Sequence, residues 1–489
     1  MSDIQDKQNT ELTFEHKRWV HASFGARDMF SQWHTAAFGA YTIFFYESVV
    51  GLPSQFAIAA FLIFSLWNAV NDPLMGYIME KFTMPWQRKW GFRRFPWIVI
   101  GSILFIFSYL IIFLVPFGWF GTEALVVANK WKIFAWYVIT LLIYDTTFTI
   151  FDINSQSLFP EKFAKQYERR VVTGWGTFLG ILGLVLSFVL TGLIADQNFP
   201  ESYRKAALLT FGGAFFFLIL FLPGMYESKQ LREKYKHSEG TKGQANEPFL
   251  KVAKDILTDR TMAMKILFYF GYQAAVALMN ASALYIVTYI LDDPENESFI
   301  FIMGGMLAGA LISTPLWVRI SQRVNNNKKM CIVTGLLMFA TFLPMIFVSS
   351  LVGWIICIFL FGISLGGQWF INPPTMGDVL DSVAVKTGKR EQSLYYGFQT
   401  FVIRFGEAFK AVVIALAHLT TGFQEGNPTL TDMTNAVDNI NLVLFGIRIH
   451  TAIVPALLVL VCTLLFWKYY DLTPEKIKEN RLKLDELGI

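Results

Sequence analysis

About twelve stretches of this chain stay apolar over roughly 20 residues, the length that crosses the hydrocarbon core of a bilayer, and they leave few folds open. They fall at 22–48, 54–80, 96–118, 132–158, 172–195, 205–225, 262–291, 298–320, 330–350, 352–378, 393–420 and 442–469. Charged residues make up 16% of the 489 and hydrophobic ones 54%, against about 25% charged in a soluble domain. In lipid every backbone N–H and C=O must be satisfied within the protein, so only helices or closed barrels span. The runs are too long, and too apolar on all sides, for barrel strands. The sequence therefore predicts an all-α membrane protein of twelve transmembrane helices. The start, "MSDIQDKQNTELTFEHKRWV", is polar and lacks a signal-peptide core. Cys331, Cys357 and Cys462 lie inside apolar runs, as small core residues rather than disulfide partners or metal ligands.

The connections alternate in charge. Lys81, Arg88, Lys89, Arg93 and Arg94 follow the second run, and Lys162, Lys165, Arg169 and Arg170 the fourth. Arg319, Arg323, Lys328 and Lys329 follow the eighth, and Lys386, Lys389 and Arg390 the tenth. The other connections hold little beyond Lys130, Lys132, Arg204 and Lys205. Basic loops stay cytoplasmic, so both termini and the middle loop are expected in the cytoplasm, in a multi-pass protein of the plasma membrane. The stretch 226–260 is charged, holds Gly and Ser, and has no periodic apolar face, which marks a linker. The expected layout is a tail at 1–21, a six-helix bundle at 22–225, the middle loop at 226–260, a second six-helix bundle at 261–470 and a tail at 471–489. "FDINSQSLFPEKFAKQYERR" at the end of the fourth run echoes "WFINPPTMGDVLDSVAVKTGKRE" at the end of the tenth. Two such repeats, related by an axis along the membrane normal, are a transporter architecture with its substrate near the midplane.

An ionised side chain at the centre of a spanning helix costs about 2.5–3.5 kcal/mol on insertion scales. Arg27, Asp28, Asp72, Asp145, Asp152, Lys265, Asp378, Arg404, Glu407, Lys410 and Arg448 nevertheless fall within apolar runs. Such residues face the bundle interior and pair, or they line a substrate or ion path. In "NAVNDPLMGY", Asn68 and Asp72 are four apart and share a helix face. Pro73 clashes with the carbonyl of Ala69 and frees that oxygen. A carboxylate, an amide oxygen and a free carbonyl suit a small hard cation; a desolvated carboxylate also suits a proton. A structural pair between Asp72 and a Lys or Arg of another helix is equally open on residue chemistry alone.

Thr149, Asp152 and Gln156 share one helical face, and Asp28 lies in "FGARDMF" of the first run. A carboxylate accepts from two adjacent hydroxyls, as on a sugar or polyol. Trp369, in "GGQWFINPP", offers a ring to an apolar sugar face. Pockets of this kind are mostly apolar with a few placed polar groups. The plainer readings are that Asp28 pairs with Arg27 or Lys265, that Trp369 is packing, and that Arg404 and Glu407 form a local salt bridge.

"NDPLMGY" followed by "WGFRRFPWIVIG", then "YDTTFTIFDINSQSLFP", then "GDVLDSVAVKTGKREQSLYYGFQTFVIRFGEAF", together resemble the glycoside–pentoside–hexuronide:cation symporters of the major facilitator superfamily, whose familiar member is the bacterial melibiose permease. The resemblance runs over nearly the whole chain and is strongest across 24–176 and 366–407. It implies the major facilitator fold, with two pseudo-symmetric halves, and cation-coupled symport of a sugar or glycoside by alternating access. The family's cation site would fall on Asn68, Asp72 and Thr149, with sodium or a proton as coupling ion. Its sugar site would fall on Asp28, Asp152, Gln156, Trp369, Thr400 and Arg404. The melibiose permease has aspartate in place of Asn68, tryptophan in place of Gln156 and lysine in place of Arg404, and its sugar-contacting arginine on the fifth helix aligns with Thr177. Thr149 and Asp152 put both sites on the fourth helix, so each ligand favours the same arrangement of it and the coupling is reciprocal. Cytoplasmic gate pairs are expected between Arg93 and Arg94, in "RKWGFRR", and Asp378 and Asp381.

Two other cargoes stay open. One is an amphiphile such as a lysolipid, since lysolipid symporters of animals resemble the same family and the chain holds 48 Phe. The other is an anionic sugar, a uronate or a sulfated one, facing Arg404. An enzyme is not expected: the sequence has no Gly-x-Ser-x-Gly, phosphate-binding glycine loop or Cys cluster, and His16, His21, His34, His237, His418 and His450 are scattered. A receptor would carry a folded soluble module, and no segment is long enough to bury one. No cofactor, no metal beyond a sodium ion at the cation site, and no nucleic-acid partner is expected. The partners are a small-molecule substrate and membrane lipid, and a monomer suffices.

Overall fold

A computed structural model describes residues 16–82, 84–194, 200–238, 254, 258–293, 297–423 and 429–487. The first fifteen residues of the expected N-terminal tail, and most of the middle loop past Ser238, lie outside the described residues.

The long helices are α1 (Arg18–Phe44), α2 (Ser54–Lys81), α3 (Phe95–Ile112), α4 (Glu123–Lys162), α5 (Gln166–Gly192), α6 (Pro200–Met225), α7 (Arg260–Tyr285), α8 (Phe299–Val324), α9 (Asn327–Met345), α10 (Leu351–Thr387), α11 (Gln392–Thr421) and α12 (Ile440–Arg448, continued through a π turn by Val454–Tyr469). Ten of them are long and apolar enough to cross a membrane among the described residues. The other two, α1 and α11, span 27 and 30 residues. Polar side chains interrupt their apolar character, Arg27 and Asp28 in α1 and Arg404 and Lys410 in α11. The twelve runs therefore match twelve long helices.

Local chemistry sets several starts. Thr122 accepts from the Leu125 N–H, Asp259 from that of Met262 and Asn326 from that of Lys329, each satisfying a donor that the helix leaves open. The ends of α1 and α7 echo each other. Each runs into a five-residue π turn, Phe45–Val49 and Ile286–Ile290, closed by the same hydrogen bonds, Val50 to Phe45 and Leu52 to Tyr46 in one, Leu291 to Ile286 and Asp293 to Val287 in the other.

The residues divide into two compact units. One is drawn from Met1–Glu247, Ala384–Thr400 and Leu484–Ile489, the other from Pro248–Val383 and Phe401–Lys483. The end of α10 and the first turns of α11 thus group with α1 to α6, a grouping that hydropathy does not reveal.

In the first unit α2 is inverted relative to a helix of a soluble protein. Leu62, Leu66 and Val70 are exposed, while Asn68, Asn71 and Asp72 are buried. An apolar outside and a polar interior suit lipid immersion. Helices α1 and α5 approach closely because α5 presents glycines: a Cβ on Gly183 would stand 2.5 Å from the Met29 carbonyl oxygen, and one on Gly180 would stand 3.2 Å from the Asp28 Cβ. Small residues allow such approach, and here it seats Asp28. The core around them is aromatic, with Phe30 against His34, Phe105, Phe151 and Phe221.

Candidate transport site

Helix α4 runs unbroken for 40 residues, so Asp145, Thr149, Asp152 and Gln156 form one stripe along it. The upper part of the stripe meets α2. Thr149 Oγ1 donates to Asp72 Oδ1 at 2.8 Å. Asn71 Nδ2 donates to Asp145 Oδ2 at 2.9 Å and to Thr149 Oγ1 at 3.0 Å. Two carboxylates are thereby joined through an amide and a hydroxyl, all buried. The amide oxygens of Asn68 and Asn71 are buried too, with no hydrogen-bond partner among the described residues. Buried acceptors normally find a donor; these two are free to serve as neutral ligands. Four oxygen-bearing side chains joined in one network, with Asn68 one turn before Asp72 on the same face of α2, suit a hard cation, which takes several oxygens. Asn68, Asp72 and Thr149 are the residues named from the sequence. Asn71 and Asp145 complete the set. Their signals were present, since Asn71 adjoins Asp72 and Asp145 is one turn before Thr149, but nothing in the sequence says that they meet.

The lower part of the stripe meets α1. The Arg27 guanidinium pairs with both Asp28 and Asp152, and its Nε donates to Ser155 Oγ at 2.8 Å. Gln156 donates to the second oxygen of Asp152. Of the two pairings open to Asp28, the structure shows the one with Arg27; Lys265 instead donates to Asn372 in the second unit. The Asp28 side chain is 36% exposed and that of Asp152 14%, so both carboxylates remain reachable. Thr400, in the first unit, donates to Tyr396 of its own helix at 3.0 Å. Trp369 and Arg404 are half-buried members of the second unit. The Glu407 side chain lies outside the described ones. Arg448 closes the end of α9, donating to the carbonyls of Met345, Ile346 and Val348 at 2.7–3.3 Å, a structural role.

Of the four gate residues, Arg93 and Arg94 find carboxylates within the first unit. Both pair with Glu80, and both approach Glu161, at 3.7 and 3.4 Å. The same lattice holds the connection from α10 to α11: Arg93 donates to the Arg390 carbonyl at 2.8 Å, Arg94 to Ser393 Oγ at 2.6 Å, and the Ser393 N–H to Glu80 at 3.1 Å. Nothing local in the sequence singles out Glu80 and Glu161, which stand at helix ends, where charge is ordinary. Asp378 and Asp381 are buried in the second unit, where Asp378 accepts from Asn327 at 2.7 Å and lies 3.8 Å from Arg481. Behind the arginines, Glu227 accepts the backbone N–H of Arg94 at 2.9 Å and that of Arg93 at 3.0 and 3.2 Å. Burial pushes its carboxyl up to about 7, against those donors.

Long helices that surround a stripe of carboxylates, amides and hydroxyls define a polytopic carrier of the major facilitator type. Solved structures share the architecture. The proton:xylose symporter XylE bound to 6-bromo-6-deoxy-D-glucose superposes with a TM-score of 0.61 at 10% identity, covering 94% of this chain and 98% of that one. The transporter FucP in its outward conformation gives 0.57 at 14% identity, covering 94% and 100%. The family described as MFS/sugar transport protein matches residues 23–473, and the chain belongs to it. Relatives include the sodium-dependent lysophosphatidylcholine symporter 1 of Gallus gallus, 24% identical over 92% of this chain and 86% of that protein. The inner membrane symporter YicJ of Escherichia coli is 24% identical over 90% and 88%. The lactose permease of Lactobacillus delbrueckii subsp. bulgaricus is 23% identical over 86% and 65%. The chain is a multi-pass membrane transport protein and not an enzyme.

Proposed function

We propose that this protein is a symporter that carries a sugar or glycoside across the plasma membrane by alternating access, driven by a sodium gradient, with both termini in the cytoplasm. Asn68, Asn71, Asp72, Asp145 and Thr149 hold the ion. A proton needs one basic oxygen; the two partnerless amide oxygens beside two carboxylates favour an ion with several ligands. Asp28, Asp152 and Gln156, oriented by Arg27, accept from and donate to substrate hydroxyls, with Thr400 assigned to substrate in the same unit; Trp369 and Arg404 are the substrate residues assigned to the second unit. The Glu80–Arg93–Arg94–Glu161 lattice is the cytoplasmic latch of the first unit, and Asp378 and Asp381 are the gate residues of the second. The observation that carries the reading is the shared stripe on α4, one turn from Thr149 to Asp152, which lets ion and substrate bias one helix.

The second reading is a lysolipid, favoured by the similarity to the chicken lysophosphatidylcholine symporter. The test is uptake by proteoliposomes of radiolabelled glycosides, pentoses, uronates and lysolipid, under a sodium or a proton gradient. Sodium-driven sugar uptake that is lost in Asp72→Asn supports the proposal. Lysolipid uptake without sugar uptake overturns the cargo, and uptake driven only by protons overturns the ion.

A further inference from the structure

Three donor side chains that the transport site does not use meet where α1 and α5 begin. His21 and Glu168 are fully buried, and the His16 side chain, just before α1, is 21% exposed. His21 Nε2 lies 3.0 Å from Glu168 Oε1, and His16 Nδ1 lies 3.2 Å from Glu168 Oε2. All three donor atoms fall within 4.8 Å of one another. We propose that His16, His21 and Glu168 bind a divalent first-row transition ion of the zinc type, with its remaining position open where His16 meets solvent.

Two imidazoles and one carboxylate are the donor set of zinc sites that keep an open position. Bonds of about 2.0–2.2 Å put adjacent donors around a tetrahedral ion roughly 3.3–3.5 Å apart. The two nitrogen–oxygen separations are a few tenths of an ångström shorter than that, and the donor atoms together span no more than 4.8 Å, so an ion enters with a small rearrangement of the triad. In the ion-free clasp the ring nitrogens facing Glu168 carry the protons, since an ionised carboxylate only accepts; on binding, each ring presents that nitrogen's lone pair to the ion with its proton moved to the other nitrogen, and the carboxylate supplies the charge. The surroundings fix the ligands. The His16 backbone N–H donates to Glu168 Oε1 at 2.8 Å, and the Phe163 ring stands against both imidazoles at 5.2 and 5.9 Å. Outer contacts of this kind orient ligands and exclude water. The ligands come from segments 147 and 152 residues apart, so the ion would clamp the start of α1 to the start of α5, the two helices that seat Asp28. The competing account is a hydrogen-bonded His–Glu–His clasp that takes no ion.

The whole chain, purified in detergent with a tag other than polyhistidine, is titrated with Co²⁺ and followed by visible absorption. One Co²⁺ per chain is expected, with the intense bands of four- or five-coordination, displaced by Zn²⁺ and not by Mg²⁺ or Ca²⁺. His16→Gln keeps an N–H donor for Glu168 but is a poor ligand. It should retain the wild-type thermal unfolding without metal and bind Co²⁺ more weakly by at least the roughly 10–100-fold that outer-shell changes cost. Absence of saturable binding, a weak octahedral spectrum, or His16→Gln binding as tightly as wild type would leave only the clasp. Should His16→Gln unfold, His16→Asn takes its place under the same criteria.

Discussion

The Thr149 hydroxyl donates to Asp72 across α2 and α4 at 2.8 Å while accepting at 3.0 Å from Asn71, which itself donates to Asp145, so the two carboxylates of the proposed ion site are linked through Thr149 and Asn71. Thr149→Val keeps the shape and removes the oxygen. Its apparent sodium affinity should fall about tenfold, roughly 1.4 kcal/mol, while Thr149→Ser stays near wild type. Uptake measured against sodium concentration reads this directly. Unchanged affinity in Thr149→Val would exclude the hydroxyl as a ligand.

Asp145 separates this site from one built on Asp72 alone. Asp145→Asn should abolish accumulation driven by the gradient while substrate exchange between the two faces persists. Counterflow measured beside gradient-driven uptake distinguishes the two. Full accumulation by Asp145→Asn would mean that it only orients Asn71.

Arg27 compensates two aspartates at once. Arg27→Leu leaves them without that cation, and breaking a buried pair costs about 3–5 kcal/mol; exposure of Asp28 places the loss toward the low end. Thermal unfolding in detergent should drop markedly for Arg27→Leu and less for Arg27→Leu combined with Asp152→Leu. Equal drops would show that the arginine contributes through packing alone.

Glu227 makes stability depend on pH. Its carboxyl, raised by burial from 4.5 to about 7, keeps its proton in the folded chain where the unfolded chain has lost it. The native state then binds more protons between those values, so stability falls as pH rises through that window and levels off above it. Glu227→Gln, which mimics the protonated acid, should flatten the profile and exceed wild type at pH 8 by about 1–3 kcal/mol. Melting temperatures between pH 5 and pH 8 test it, and parallel profiles for the two proteins would refute it.

Gly397 lies on the first turns of α11, and a Cβ there would stand 2.6 Å from the Asp72 carbonyl oxygen and 3.0 Å from the Pro73 Cα. Gly397→Ala should cost about 1–3 kcal/mol in this packing and weaken sodium binding by pushing α2 at the proposed ion site. The sodium dependence of tryptophan fluorescence would report the shift. Wild-type melting and affinity would show that α2 yields freely there.

The sequence by itself determined the twelve helices, their order and the class of carrier. Lipid makes that possible, because a segment with no water around it must be apolar and internally hydrogen-bonded, and both demands are written locally. It also marked Asn68, Asp72, Thr149, Asp28 and Asp152, since polar groups within apolar runs stand out. Which of these groups meet was decided by the tertiary structure alone. Asn71 and Asp145 are 74 residues apart, Arg27 and Asp152 125, and His16 and Glu168 152. Partners at that distance depend on helix rotation and on the glycines that let helices close in, as Gly180 and Gly183 do around Asp28 and Met29. Hydropathy counts how many helices there are; packing chooses which faces they share, and here it joined Asp145 to Asp72 through Asn71 and Thr149.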